Sequence, residues 1–141
     1  MTGNRGKAFL DSNVVLYLLS DETIKADRAE SLLKCKPVIS VQVLNEVTNT
    51  CVRKLGMSWR ETGEFLELAR GFCKVVPLTI DVHDRARQVA ERHRLSLYDA
   101  SIVAAALLEG CRTLYTEDMH HGLVIEGSLH MLNPFLGKTP G

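Results

Sequence analysis

Two hydrophobic periods alternate along this chain. Short apolar runs closed by polar turns read as strands, and stretches whose apolar residues return every three or four positions read as amphipathic helices. The first pattern predicts strands over 7–10, 37–40, 74–78, 112–116 and 129–132. The second predicts helices over 14–19, 22–34, 41–55, 58–70, 81–93 and 97–109. Pro37 opens its strand, where a missing N–H is tolerated. Gly56 and Gly110 stop two helices, and Ser58 with Glu61 and Ser96 with Asp99 open two others in capping-box spacing. Helical spacing turns Ile24, Ala29, Leu32 and Leu33 inward in one helix and Val82, Ala86, Val89 and Ala90 in another. Trp59 and Phe65 are expected in the core.

Short strands alternating with helices imply an α/β architecture of three layers. A mostly parallel sheet of four or five strands would carry helices on both faces. No repeat, linker or low-complexity tract divides the chain, so one domain is expected over 1–141, with 137–141 a frayed tail.

Composition adjusts this picture in three ways. A chain of 141 residues that is 45% hydrophobic can bury a sizeable core. Lys and Arg total 17, as do Asp and Glu, so global charge steers no polyanion toward it. Contact with nucleic acid would therefore rest on a local patch, or on a metal that reverses the sign of an acidic site. The four cysteines form no Cys-x-x-Cys pair and read as small buried hydrophobes in a reducing compartment. Residues 1–7 lack the apolar run of a signal peptide, and the longest apolar run, 102–108, is too short for a bilayer. A soluble, cytoplasmic protein without membrane contact is expected.

The chemistry lies in the acids. Loops leaving parallel strands gather on one sheet edge. Asp11 leaves the first strand and Asp118 the fourth. Asp99 starts a helix that runs antiparallel to the strand it feeds, so it falls on the same edge. Glu46 lies a turn or so into the helix that follows the second strand. Singly, these residues read as an N-cap, a turn residue, half of a capping box and a solvated helix acid. Together they are costly: two carboxylates ~4 Å apart repel by about 4 kcal/mol at an effective dielectric near 20. Either some remain protonated or a cation sits among them. Oxygen ligands without a histidine pair favour Mg²⁺ or Mn²⁺, and such a centre suits metal-assisted phosphodiester hydrolysis.

At this point a family resemblance emerges. Phe9-Leu10-Asp11-Ser12-Asn13, mid-helix Glu46, the run from Tyr98-Asp99-Ala100-Ser101 through Ala106, and Leu114-Tyr115-Thr116-Glu117-Asp118 resemble the four acidic motifs of PIN-domain nucleases. The length and the closing Asn133-Pro134-Phe135 resemble VapC-type toxins of bacterial and archaeal toxin–antitoxin pairs. The resemblance covers nearly the whole chain. It implies a PIN-like fold and a Mg²⁺-dependent endoribonuclease acting on RNA, a homodimer held inactive by a cognate antitoxin. It places Asp11, Glu46, Asp99 and Asp118 around the ion as catalytic ligands, with Asn13 and Thr116 as polar supports. The family pattern of a polar residue, any residue, then Asp assigns Asp118 rather than Glu117.

Other residues are read against this site. His120 and His121 follow Asp118 and are expected on a surface loop, and His83, His93 and His130 share no ligand spacing. Arg85, Arg87, Arg92 and Arg94 form the densest basic run, where Arg92 and Arg94 are candidates for RNA phosphates and a solvated helix face is the plainer reading. The helices between residues 14 and 70 offer an apolar groove for an antitoxin helix. Two rival functions remain: a PIN nuclease for RNA processing outside toxin–antitoxin pairs, and a non-catalytic binding domain that kept the fold. Receiver-like and phosphatase-like domains fit less well, because no Asp-x-Asp pair follows the first strand.

Overall fold

Phe9 and Leu10 are consecutive on a strand, so their side chains leave opposite faces, yet both are fully buried. Val38 and Ile39 repeat this on the next strand. Both sheet faces are therefore covered, which gives the three layers expected for a mainly parallel sheet. The computed structural model describes residues 7–136. The tail expected to fray, 137–141, lies outside them.

The elements run β1 (Lys7–Leu10), α1 (Ser12–Leu16), a 3-10 turn (Tyr17–Leu19), α2 (Thr23–Leu33), β2 (Val38–Ser40), α3 (Val41–Arg53) and α4 (Trp59–Arg70). They continue as β3 (Lys74–Val76), α5 (Ile80–His93), α6 (Leu97–Leu108), β4 (Cys111–Tyr115), β5 (Val124–Ile125) and β6 (Leu129–Leu132). The sheet order is β3-β2-β1-β4-β6-β5. Every neighbouring pair is parallel except β5 with β6. β5 is a sixth strand beyond the four or five expected. Its two residues are too few for a period, and it exists because Glu126 and Gly127, at φ 53 and 73, form a tight turn that folds it back on β6.

Three inward assignments need correction. Ile24 is 81% exposed, whereas Ala29, Leu32 and Leu33 are buried. At about 100° per residue, Ile24 lies half a turn around α2 from Leu33, so the two cannot share a face. Trp59 is 72% exposed, because α4 buries Thr62, Phe65 and Ala69 while its first residue stands clear of that packing. Cys35 is exposed in the turn after α2, unlike buried Cys51 and Cys111, and all four cysteines are free.

α6 is the central helix. Ala100 through Ala106 are all buried, so small side chains let neighbouring elements close around it. Gly110, at φ 78, ends the segment. At the starts of the strands, Lys7 and Lys74 both pair with the Glu109 carboxylate, which holds it below the ordinary range. The residues of interest lie at the strands' other ends: Asp11 just past β1, Ser40 at the end of β2 where it caps α3, and Thr116 just past β4. Among the described residues no helix is long and apolar enough to cross a membrane.

Candidate active site

The site is built from the turns that end β1 and β4. Asp11 N–H donates to the Tyr115 carbonyl at 3.0 Å, which carries the pairing of β1 and β4 one residue past the sheet. Asp11 stands at the N-cap of α1, and its Oδ1 accepts the Ser12 N–H at 2.7 Å. Its Oδ2 accepts from Thr116 Oγ1 at 2.7 Å and Asn13 Nδ2 at 3.2 Å. Thr116 is wholly buried and its hydroxyl also receives the Asp118 N–H at 3.2 Å. Asn13 spans two acids, because Nδ2 also donates to Asp118 Oδ2 at 2.9 Å. Asn13 and Thr116 thus both hydrogen-bond to Asp11, and each also bonds to Asp118.

Glu46 reaches back from α3. Ser12 Oγ donates to its Oε1 at 2.8 Å, and Gln42, one helical turn earlier, donates to its Oε2 at 3.1 Å. Ser12 and Gln42 were not singled out from sequence. The available signals were the adjacency of Ser12 to Asp11 and the i,i+4 spacing of Gln42 and Glu46. Asp99 enters from the first turn of α6, where the Ser96 hydroxyl accepts its N–H at 3.1 Å. At α4, Glu61 completes a reciprocal capping box with Ser58. Among the described residues Asp99 returns no such bond to the Ser96 amide, while the Ser96 hydroxyl still favours its charged form.

Electrostatics tie the four together. Asp11 is only 2% exposed. Burial lifts its carboxyl from the ordinary 3.8 to about 6, against the donations of Thr116 and Ser12, and the charges of Glu46 and Asp99 push the same way. Asp99 is also raised, by burial first and then by the charges of Glu46 and Asp118. Among the described residues no Lys or Arg pairs with any of these four carboxylates, and no three acidic, His or Cys side chains are already gathered as a metal-binding group. Neutral Ser, Asn, Gln and Thr groups space the acids instead. An all-oxygen donor set carrying unmatched negative charge fits a hard divalent cation.

The other sequence candidates fall outside. Glu117 turns away to Tyr17 and Lys25. His120 and His121 are exposed, and His121 Nδ1 accepts the Asn133 N–H at 2.9 Å. Arg92 and Arg94 are exposed on the last turn of α5 and its cap, as a solvated face would be. Arg85 and Arg87 pair with Glu126 and Asp84.

Comparison with known proteins places this geometry. The family model described as "PIN domain" matches residues 8–122. No match was found among curated proteins. Among solved structures, a toxin–antitoxin complex from Klebsiella pneumoniae is similar at 21% identity and TM-score 0.69, covering 92% of this chain and 98% of that one. VapC20 of Mycobacterium tuberculosis, described as a sarcin-ricin loop cleaving toxin, matches at 22% identity and TM-score 0.65, covering 79% and 90%. FitAcB from Neisseria gonorrhoeae matches at 18% identity and TM-score 0.63, covering 92% and 99%. At these identities the likeness is one of fold.

Proposed function

The chain belongs to the PIN-domain family, and from that premise we propose that it is a metal-dependent endoribonuclease of the VapC toxin type, neutralised by an antitoxin. The observation that carries the reading is the set of four acids at one sheet edge, spaced by neutral donors and matched by no protein cation. Asp11, Glu46, Asp99 and Asp118 would hold Mg²⁺ or Mn²⁺. When bound, such an ion supplies Lewis acidity toward a phosphate oxygen and lowers the pKa of an attacking water. Asn13 keeps Asp11 and Asp118 in fixed relation, and Ser12 does the same for Asp11 and Glu46. Asp99, presented by the first turn of α6, would also orient the attacking water.

The antitoxin part of the proposal has its own support. Leu18, Leu19, Leu33, Phe65, Leu68 and Phe72 line a groove between the 3-10 turn, α2 and α4, with Asp27 and the ion pair of Glu30 and Lys34 also lining it. The apolar face of an amphipathic helix suits that surface. The solved relatives include toxin–antitoxin complexes, which points the same way. The homodimer belongs to the same proposal, and sedimentation velocity tests it.

The first test is cleavage of a labelled total-RNA pool by wild type and Asp99→Asn, each with Mg²⁺ and with EDTA. Discrete cuts that need the metal, and that fall by about 10²-fold or more in the variant, are expected. Equal cleavage by both proteins would overturn the assignment.

A further inference from the structure

Glu117 and Asp118 are neighbours in sequence and point opposite ways. Asp118 faces Asn13. Glu117 faces the start of α2, where Tyr17 Oη donates to its Oε1 and Lys25 Nζ to its Oε2, both at 2.8 Å. Lys25 also donates to Tyr17 Oη at 3.1 Å, so the three groups close a ring. The Lys25 ammonium lies 4.8 Å from the Tyr17 ring centroid and 5.4 Å from that of Phe135. Those two rings meet edge to face at 4.8 Å. Arg28, three residues further along α2, donates through Nε to the Pro134 carbonyl at 3.2 Å. A cation held by one carboxylate and two ring faces is a strong clamp, because each contact fixes the same ammonium.

The clamp and the acid cluster share one stretch of backbone. Asn13 Oδ1 accepts the Glu117 N–H at 3.1 Å, and Thr116 Oγ1 accepts that of Asp118. The amides of Glu117 and Asp118 are thus anchored side by side on Asn13 and Thr116, the residues that also hold Asp11. We propose that Lys25 is a positioning residue for Asp118: it keeps the Glu117 carboxylate out of the acid cluster and so holds Asp118 toward Asn13. Phe135 and Pro134 brace Lys25 and Arg28, which makes the turn after β6 a remote support of the site. The proposal rests on the nuclease reading above, and its test separates the two.

The variants are Lys25→Met, Lys25→Met with Glu117→Gln, and Phe135→Leu. Mn²⁺ binding is read by electron paramagnetic resonance of the free ion, and RNA cleavage by kcat and KM across a Mg²⁺ titration. Lys25→Met is expected to weaken Mn²⁺ binding and raise the half-saturating Mg²⁺ about tenfold, with KM for RNA unchanged. Adding Glu117→Gln should recover most of that loss, because no unpaired carboxylate is then left beside Asp118. Phe135→Leu should shift metal binding the same way by less, and it stands in if Lys25→Met fails to fold. A raised KM with altered salt dependence would make Lys25 an RNA contact and overturn the proposal. Lowered thermal stability with unchanged metal affinity would overturn it too, as would failure of Glu117→Gln to rescue. A wild type that neither binds Mn²⁺ nor cleaves would overturn the nuclease reading and this proposal with it.

Discussion

Asp11 is held by the Thr116 hydroxyl, the Ser12 amide and the Asn13 amide, and still its burial disfavours the charge. The folded protein binds the Asp11 proton more tightly than the unfolded chain, so the metal-free fold loses stability as pH climbs from about 4 through about 6. The shift from 3.8 to about 6 corresponds to roughly 3 kcal/mol. In EDTA the urea midpoint of wild type should fall relative to that of Asp11→Asn as pH rises across that range, the difference isolating Asp11 from Glu109 and Glu117, whose lowered carboxyls act in the opposite sense. Added Mg²⁺ should raise the melting temperature of wild type above about pH 7 and leave Asp11→Asn nearly unmoved, since only a charged carboxylate gains from the cation. The approach of Asp11, Glu46, Asp99 and Asp118 to one sheet edge was legible from the order of strands and helices, whereas the local pattern around each one reads only as a cap, a turn or a solvated acid. The direction of Glu117 was not legible. It depends on Lys25, 92 residues away, and no local pattern carries a contact of that separation.

Helix caps connect the fold to the site at the next scale. Ser96 fixes the first turn of α6 and with it the entry angle of Asp99. Ser96→Ala should cost about 1 kcal/mol in chemical denaturation and weaken metal binding by more than that loss alone explains. The buried body of α6 sets a different limit. Ala104 has no exposed surface, and Ala104→Leu should destabilise by about 1–3 kcal/mol with an unchanged denaturant slope. Strand and helix positions were readable because period and capping chemistry agreed along most of the chain. Where they failed, the cause was geometric. Trp59 and Ile24 fit an apolar pattern at helix starts, yet a first turn has fewer neighbours to pack against. β5 could not be read because its pairing arises from the turn at Glu126 and Gly127 rather than from its own two residues.

For the whole molecule, the proposed active site and the proposed antitoxin groove occupy separate surfaces. The acid cluster lies at the ends of β1 and β4, and the apolar groove between α2 and α4. Leu68 is 63% exposed on that groove, so Leu68→Glu should keep the fold and the cleavage rate while abolishing inhibition by the antitoxin. Inhibition assays with purified antitoxin would check this, and equal inhibition of wild type and variant would move the partner to another face. The sheet's margins carry one more consequence. Its outermost strands, β3 and β5, have three and two residues, and β3 runs straight into Pro77. Among the described residues neither rim offers an unpaired ladder long enough to recruit a stray strand, which protects a chain that is 45% hydrophobic from edge-to-edge aggregation at high concentration. The described residues thus leave association to side chains rather than to open strand edges, and side chains let sequence choose the partner.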